Sequence, residues 1–257
     1  MRHTPLARAD LDGVAVKPLE HDLARVADLD APLVNVDYEG REAFPDGDTL
    51  RDLAAHTRLS VTTPVRADGF DPLGDDSLLP LPDGVERVLV AGNPAYLTDA
   101  ERERAVAPRL GAARETAPEA WVGTEGVERL AMAAGGPQYE LLSRRTGREV
   151  RALRAAGFDG DLALYAPVVL SDEEDEILDA VGGYAARRGP VKRALPDGAT
   201  TDGTAGGRAR EVLSQAVRDY ALVGSVAEVA KRVAELREAG VDTVVGYPAR
   251  GLDEFRG

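Results

Sequence analysis

Runs of β-branched and aliphatic residues recur along this chain at 11–16, 33–36, 59–63, 85–90, 120–123, 139–142, 161–170 and 241–247. Nearly every run is followed by a stretch of helical character. Strands that alternate with helices return in the same direction, so the alternation predicts parallel βαβ units. Eight such units in 257 residues match the usual size of a (β/α)8 TIM barrel. The expected fold is therefore α/β, with residues 1–257 forming a single barrel domain. That architecture also predicts where chemistry belongs, because barrel active sites sit in the loops at the C-terminal ends of the strands.

Helix starts are legible in the spacing of hydroxyl and acidic residues. Thr98 with Glu101, Thr146 with Glu149, Ser171 with Glu174, and Ser225 with Glu228 each have the spacing of a capping box. The helix expected after Ser225 carries Val226, Val229, Ala230, Val233 and Leu236 on one face, a stripe of helical period. Gly240 is the expected stop of that helix, and Gly157 of the helix begun near Glu149. Two stretches break the rhythm. Residues 69–84 read as a long loop punctuated by glycine and proline. The segment from Gly189 to Gly207 is rich in Gly, Thr and Asp, so a flexible insertion is expected over 189–210. It reads either as a mobile lid over the barrel mouth or as a plain solvent loop.

Composition narrows the setting. Apolar residues make up 44% of the chain, which suits a globular protein and excludes general disorder. No apolar run approaches the roughly 20 residues that span a bilayer, and the first residues lack the apolar core of a signal peptide. The chain has no cysteine, which excludes disulfides and thiolate chemistry and makes the cytoplasm the expected address. Acidic residues number 45 against 31 basic ones, a net charge of −14. Such a surface repels phosphate backbones, so no nucleic-acid partner is expected. Only Lys17, Lys192 and Lys231 are lysines. Abundant aspartate with so little lysine points to a salt-adapted protein of a halophilic archaeon, or else to a GC-rich genome that encodes arginine instead.

Three segments carry a resemblance, in consistent order: DTLRDLAAHTRLSVTTP over 48–64, LYAPVVLSDEEDE over 164–176 and ALVGSVAEVAKRVAELREAGVDTVV over 221–245. WVGTEGVERL over 121–130 is a weaker fourth. Together they resemble the bacterial-luciferase-like monooxygenase superfamily, whose members use flavin mononucleotide (FMN) or the deazaflavin coenzyme F420. The resemblance runs from about Asp22 onward. It implies a luciferase-like barrel, a small-molecule substrate, hydride transfer by the bound cofactor and a homodimer. Coenzyme F420 is the cofactor implied for an archaeal member, with FMN as the alternative. The chain is shorter than usual for that family around the fourth strand, where members carry cover for cofactor and substrate. Two readings follow: an F420- or FMN-dependent oxidoreductase, or a degenerate barrel that binds a ligand or partner without redox turnover.

The candidate site residues lie at strand ends. The resemblance implies a non-prolyl cis peptide backing the flavin ring at the end of the third strand, which would join Thr62 to Thr63. Such a bond costs about 3–4 kcal/mol and persists only where surroundings enforce it; threonines before Pro64 also suit an ordinary strand end. Asp37 and Tyr38 follow the second strand, where the family places a residue facing ring and substrate. A carboxylate there could act as a general base. Asn35 and Arg66 are candidate cofactor contacts. Gly123, Thr124 and Gly126 are the candidate phosphate loop, since a helix start offers free N–H groups to an anion. Glu125 in that loop works against a phosphate, and weak cofactor binding is the expected consequence. The histidines at 3, 21 and 56 lack metal-ligand spacing, no nucleophile elbow appears, and Lys17 is the only lysine placed for a Schiff base.

Overall fold

The computed structural model describes residues 4–65, 69–70, 78, 80–91, 106–124 and 135–256. Nine strands appear: β1 (Gly13–Val16), β2 (Leu33–Val36), β3 (Arg58–Pro64), β4 (Val85–Ala91), β5 (Trp121–Thr124), β6 (Gln138–Leu141), β7 (Leu162–Val169), β8 (Leu222–Val223) and β9 (Thr243–Pro248). Each of the eight apolar runs became a strand. The two-residue β8 is the addition that hydropathy did not announce, and it pairs parallel to the end of β7 through Val168 and Leu222. The order β6-β5-β4-β3-β2-β1-β9-β7-β8, with β6 also pairing β7, is that of a parallel (β/α)8 barrel.

The chain divides into two compact units. One holds residues 13–141 and 159–164, with β1 to β6 in parallel register and the helices α1 (Gly47–Ala54) and α2 (Val106–Thr116). On β4 and β5, Leu89 and Val122 pack against Leu110 and Ala113 of α2. Strand side chains alternate between faces, so this parity is the helix-facing side of the sheet. Register pairs Thr63 with Leu89, which puts Thr63 on the helix side too. Asn35, Ser60 and Thr62 have the opposite parity and line the inner face.

The inner face carries a polar cluster at its base. Glu86 on β4 accepts from Arg58 Nε and Nη2 at 2.5 and 2.8 Å and from the Trp121 indole at 2.9 Å. The Arg58 guanidinium also lies 5.7 Å from the Trp121 ring centroid. These residues sit at or near the N-terminal ends of β3, β4 and β5, below Ser60 and Thr62 on the same face.

The other unit holds residues 1–12, 142–158 and 165–257. Its helices include α3 (Thr146–Ala155), α4 (Glu174–Ala186), α5 (Gly189–Ala194), α6 (Gly207–Tyr220) and α7 (Val226–Ala239). Ile177, Leu178 and Val181 of α4 share a core with Leu213 and Val217 of α6. The expected insertion over 189–210 is built into this core. It opens with α5, buries Val191 and Ala205, and ties Gly203 N to Asp179 at 2.7 Å. Arg210 donates to Gly203 O and to Asp175. The segment comes close because Gly182 has no side chain: a Cβ there would stand 2.3 Å from Thr201 O. A composition poor in large apolar residues suggested a loose loop, yet hydrogen bonds and a bare helix face hold it down.

The helix starts divide the same way. Ser225 and Glu228 form the complete capping box, and Gly240 ends α7 in a left-handed conformation at φ 111°. Gly157 likewise follows α3 with φ 89°. The box expected for Thr146 is displaced by three residues. Thr146 Oγ1 accepts from Ser143 N, while Ser143 Oγ accepts from Arg145 N. Ser171 accepts from Glu173 N and donates to Glu176, so it stands outside the helix rather than capping it through Glu174. Thr98 and Glu101 lie outside the described residues.

Candidate active site

β2 and β3 bring the site together. Asn35 is fully buried, and its amide is used on both sides. Ser60 Oγ donates to Asn35 Oδ1 at 2.8 Å. Asn35 Nδ2 donates to Asp37 Oδ1 at 2.7 Å and to Thr62 Oγ1 at 3.1 Å. Thr62 Oγ1 in turn lies 3.4 Å from Asp37 Oδ1. The Ser60 hydroxyl sets which end of the amide points where, and the amide then orients the carboxylate. The register explains the arrangement, since Asn35 stands opposite Ser60, and Asp37 continues the ladder through a bond from its N–H to Val16 O at 2.8 Å.

Across the inner face, Gly123 of β5 pairs with Tyr139 of β6. A Cβ on Gly123 would stand 2.8 Å from Tyr139 O, so glycine allows the two strands this approach. The Tyr139 phenol is buried, and burial pushes its pKa well above the ordinary value, with the Asp37 carboxylate adding to the shift. Tyr139 thus belongs to the electrostatic surroundings of Asp37. Hydropathy read it only as part of an apolar run, and nothing local to residue 139 could have linked it to residue 37.

Two expected site residues turn elsewhere. Thr63 is buried on the helix side, where its hydroxyl accepts from Arg87 Nη1 at 3.0 Å. The peptide between Thr62 and Thr63 is trans, as is every described peptide bond, which corrects the expected cis bond. Here adjacent threonines simply alternate faces, as any strand requires. Tyr38 joins an aromatic cluster, 5.6 Å from Phe70 and 6.2 Å from Phe44 between ring centroids. Asn35 is fully buried, with its amide bonded to Ser60, Asp37 and Thr62. Thr124 ends β5 beside Ala91. Arg66, Glu125 and Gly126 lie outside the described residues.

The remaining sequence candidates have structural surroundings. The Lys17 ammonium pairs with Glu20 at 2.8 Å, and Lys17 N donates to the buried His21 at Nδ1. Among the described residues no group of three or more acidic or histidine side chains gathers as a metal site, and no helix is long and apolar enough to cross a membrane. In the second unit a cavity of about 770 Å³ opens beside the start of α7. It contains none of the candidate residues. Its arginines are matched within the protein, Arg218 by Glu174 and Arg232 by Glu235, and Glu228 closes the helix start as its cap.

Residues 6–255 match the model of a family described as "Family of unknown function (DUF7388)". No curated protein matches the chain. Among solved structures, the chain is similar to an F420-dependent secondary alcohol dehydrogenase in complex with an F420-acetone adduct. The TM-score is 0.57 and the identity 12%, over 93% of this chain and 94% of that one. It is also similar to the monooxygenase RslO1 from Streptomyces bottropensis. There the TM-score is 0.51 and the identity 17%, over 92% and 91% of the two chains. The fold is that of luciferase-like TIM barrels.

Proposed function

The chain belongs to the family of unknown function DUF7388, and from that premise we propose that it is an oxidoreductase of the luciferase-like type, using coenzyme F420 or FMN on a small organic substrate. The observation that carries this reading is the Asn35–Asp37–Thr62 cluster on the inner face of β2 and β3. A carboxylate oriented by a buried amide, at a strand's C-terminal end, is how a barrel presents a general base. The two similar structures, one of them an F420 enzyme by its description, support the choice of cofactor class.

The donor chemistry fits such a cofactor. Thr62 and Asp37 would face its polar ring edge, Gly123, Thr124 and Gly126 are the candidates for its phosphate, and Arg66 is a further candidate contact. When bound, the cofactor supplies a hydride donor or acceptor. The protein's own contribution is position and proton handling. Asn35 fixes the Asp37 carboxylate, and Asp37 takes or returns the proton of the substrate. The acidic surface sets a cytoplasmic, high-salt working condition in this reading, with subunits that associate as a homodimer.

Titration of the protein in molar KCl with F420 and, separately, with FMN tests the proposal through absorbance and fluorescence changes. Saturable binding of one of them is expected, weakened by Asp37→Ala. Absence of binding by either cofactor would remove the oxidoreductase reading.

A further inference from the structure

The cavity of about 770 Å³ beside the start of α7 falls within the range of about 300–1,000 Å³ usual for small-molecule pockets. All of its lining residues belong to one unit. Its floor is aliphatic, made by Ile177 of α4, Ala221 at the end of α6 and Val223 of β8, and its lining holds no aromatic ring. Its rim is charged, and the charges fall into two sets. Arg218 gives both terminal nitrogens to Glu174, at 3.3 and 2.8 Å, and a further bond to Ser214 O at 2.7 Å. Arg232 pairs with Glu235 at 2.9 Å. Neither of those carboxylates lines the cavity. Asp172 and Glu228 do, and among the described residues neither enters an ion pair. Glu228 is placed by its own helix start. Its Oε2 accepts from Ser225 N at 2.9 Å and from Ser225 Oγ at 2.8 Å. Gly224, at φ 124°, leaves room for this, since a Cβ there would stand 2.8 Å from Glu228 Oε2. The bonds from the Ser225 side chain and backbone hold the Glu228 carboxyl below its ordinary pKa, so it is ionised at neutral pH. Asp172 acts directly on the same carboxyl, and Arg218 adds a weaker Coulombic pull.

We propose that this cavity is a binding site for an organic cation that carries N–H donors on an aliphatic body, a primary ammonium above all, with Asp172 and Glu228 as its acceptors. The ammonium donates to the two carboxylates through charge-assisted hydrogen bonds, and its carbon body lies over Ile177, Ala221 and Val223. Three other ligand classes fit less well. Two carboxylates around so large a space suit a molecule rather than a bare metal ion, and the described residues gather no metal site. A quaternary ammonium has no N–H to give and is recognised by aromatic walls, which this lining lacks. An anion would meet Asp172 and Glu228 with both arginines already engaged, and Coulomb repulsion would disfavour it. The site stands apart from the oxidoreductase reading, since none of Asn35, Asp37 and Thr62 lines it.

The test is an NMR titration of the full-length protein with cyclohexylammonium, without cofactor and at constant ionic strength. Saturable shifts are expected at the Gly224 and Ser225 amides and at the Ile177 methyl groups. Asp172→Asn and Glu228→Gln should each weaken binding about tenfold, the loss of one hydrogen bond to a charged group. Glu228→Gln removes the charge and keeps the helix start, because glutamine serves in a capping box as glutamate does. Cyclohexanol offers the same body without the charge, and tetramethylammonium the charge without the N–H. Both should bind about tenfold more weakly than cyclohexylammonium, or less. The proposal is overturned by shifts that fail to saturate or that KCl reproduces at equal concentration. Equal binding of cyclohexanol or tetramethylammonium overturns it as well, and so does full affinity in the double variant Asp172→Asn with Glu228→Gln. Failure of F420 and FMN to bind bears on the oxidoreductase reading alone, since the cation titration uses neither.

Discussion

Asn35 holds Asp37. The amide nitrogen reaches the carboxylate at 2.7 Å from a side chain with no solvent exposure, and the amide oxygen is in turn fixed by Ser60. A carboxylate oriented in this way has its geometry set by the protein itself.

Replacing that amide should therefore cost both stability and function. Asn35→Ala leaves Ser60 and Thr62 without a partner they now have, and unmet buried polar groups cost about 1–3 kcal/mol each. Urea unfolding should show a lower midpoint at unchanged slope, and cofactor-dependent activity should fall more than cofactor affinity. An unchanged midpoint would mean that water replaces the amide freely.

The base of the barrel carries a pH dependence of definite sign. Burial alone would raise the Glu86 pKa, but the hydrogen bonds from Arg58 and Trp121 outweigh it and hold the carboxyl below its ordinary value. A carboxyl depressed on folding contributes stability above its unfolded value, near 4.5, and loses it as pH falls through the folded value. Glu86→Gln should thus be less stable than the native chain near neutrality, by about 1 kcal/mol for a half-exposed and partly screened pair. The gap should close as pH drops below about 4.5. Thermal melts of both proteins from pH 7 to pH 3 read the difference directly.

Two adjacent glycines in α4 make opposite predictions. At Gly182 a Cβ would collide with Thr201 O at 2.3 Å, whereas at Gly183 the nearest atom is 3.8 Å away. Gly182→Ala should destabilise by about 1–3 kcal/mol, the usual range for overpacking, and should expose residues 195–206 to limited proteolysis. Gly183→Ala should be neutral or stabilising by up to about 1 kcal/mol, because alanine is the better helix former. Equal effects at both positions would show that the 195–206 segment is not seated on α4.

The acidic surface predicts a salt response. In molar salt the Debye length falls to about 3 Å, which screens the self-repulsion of a chain with net charge −14. The melting temperature should climb steeply between low and molar KCl. A flat profile would leave base composition as the reason for the arginine-for-lysine bias.

Periodicity along the chain was enough to locate all eight principal strands, because a buried parallel strand must be apolar whatever its neighbours are. The Ser225 cap and the Gly240 stop were equally legible, since each depends on residues within three or four positions. The site was legible only in part. Asp37 and Thr62 stand where strand ends suggested, but the separation of Thr62 from Thr63 follows from which sheet face meets α2. The burial of Asn35 beneath Asp37, the placing of Tyr139 on their face and the seating of residues 195–206 on Gly182 are likewise tertiary decisions. Strand register and long-range contact choose these partners, and neither has a local signature in the chain. The sequence by itself determined a parallel α/β barrel and which residues stand at its strand ends; which side chains meet there was decided by the pairing of strands far apart in sequence.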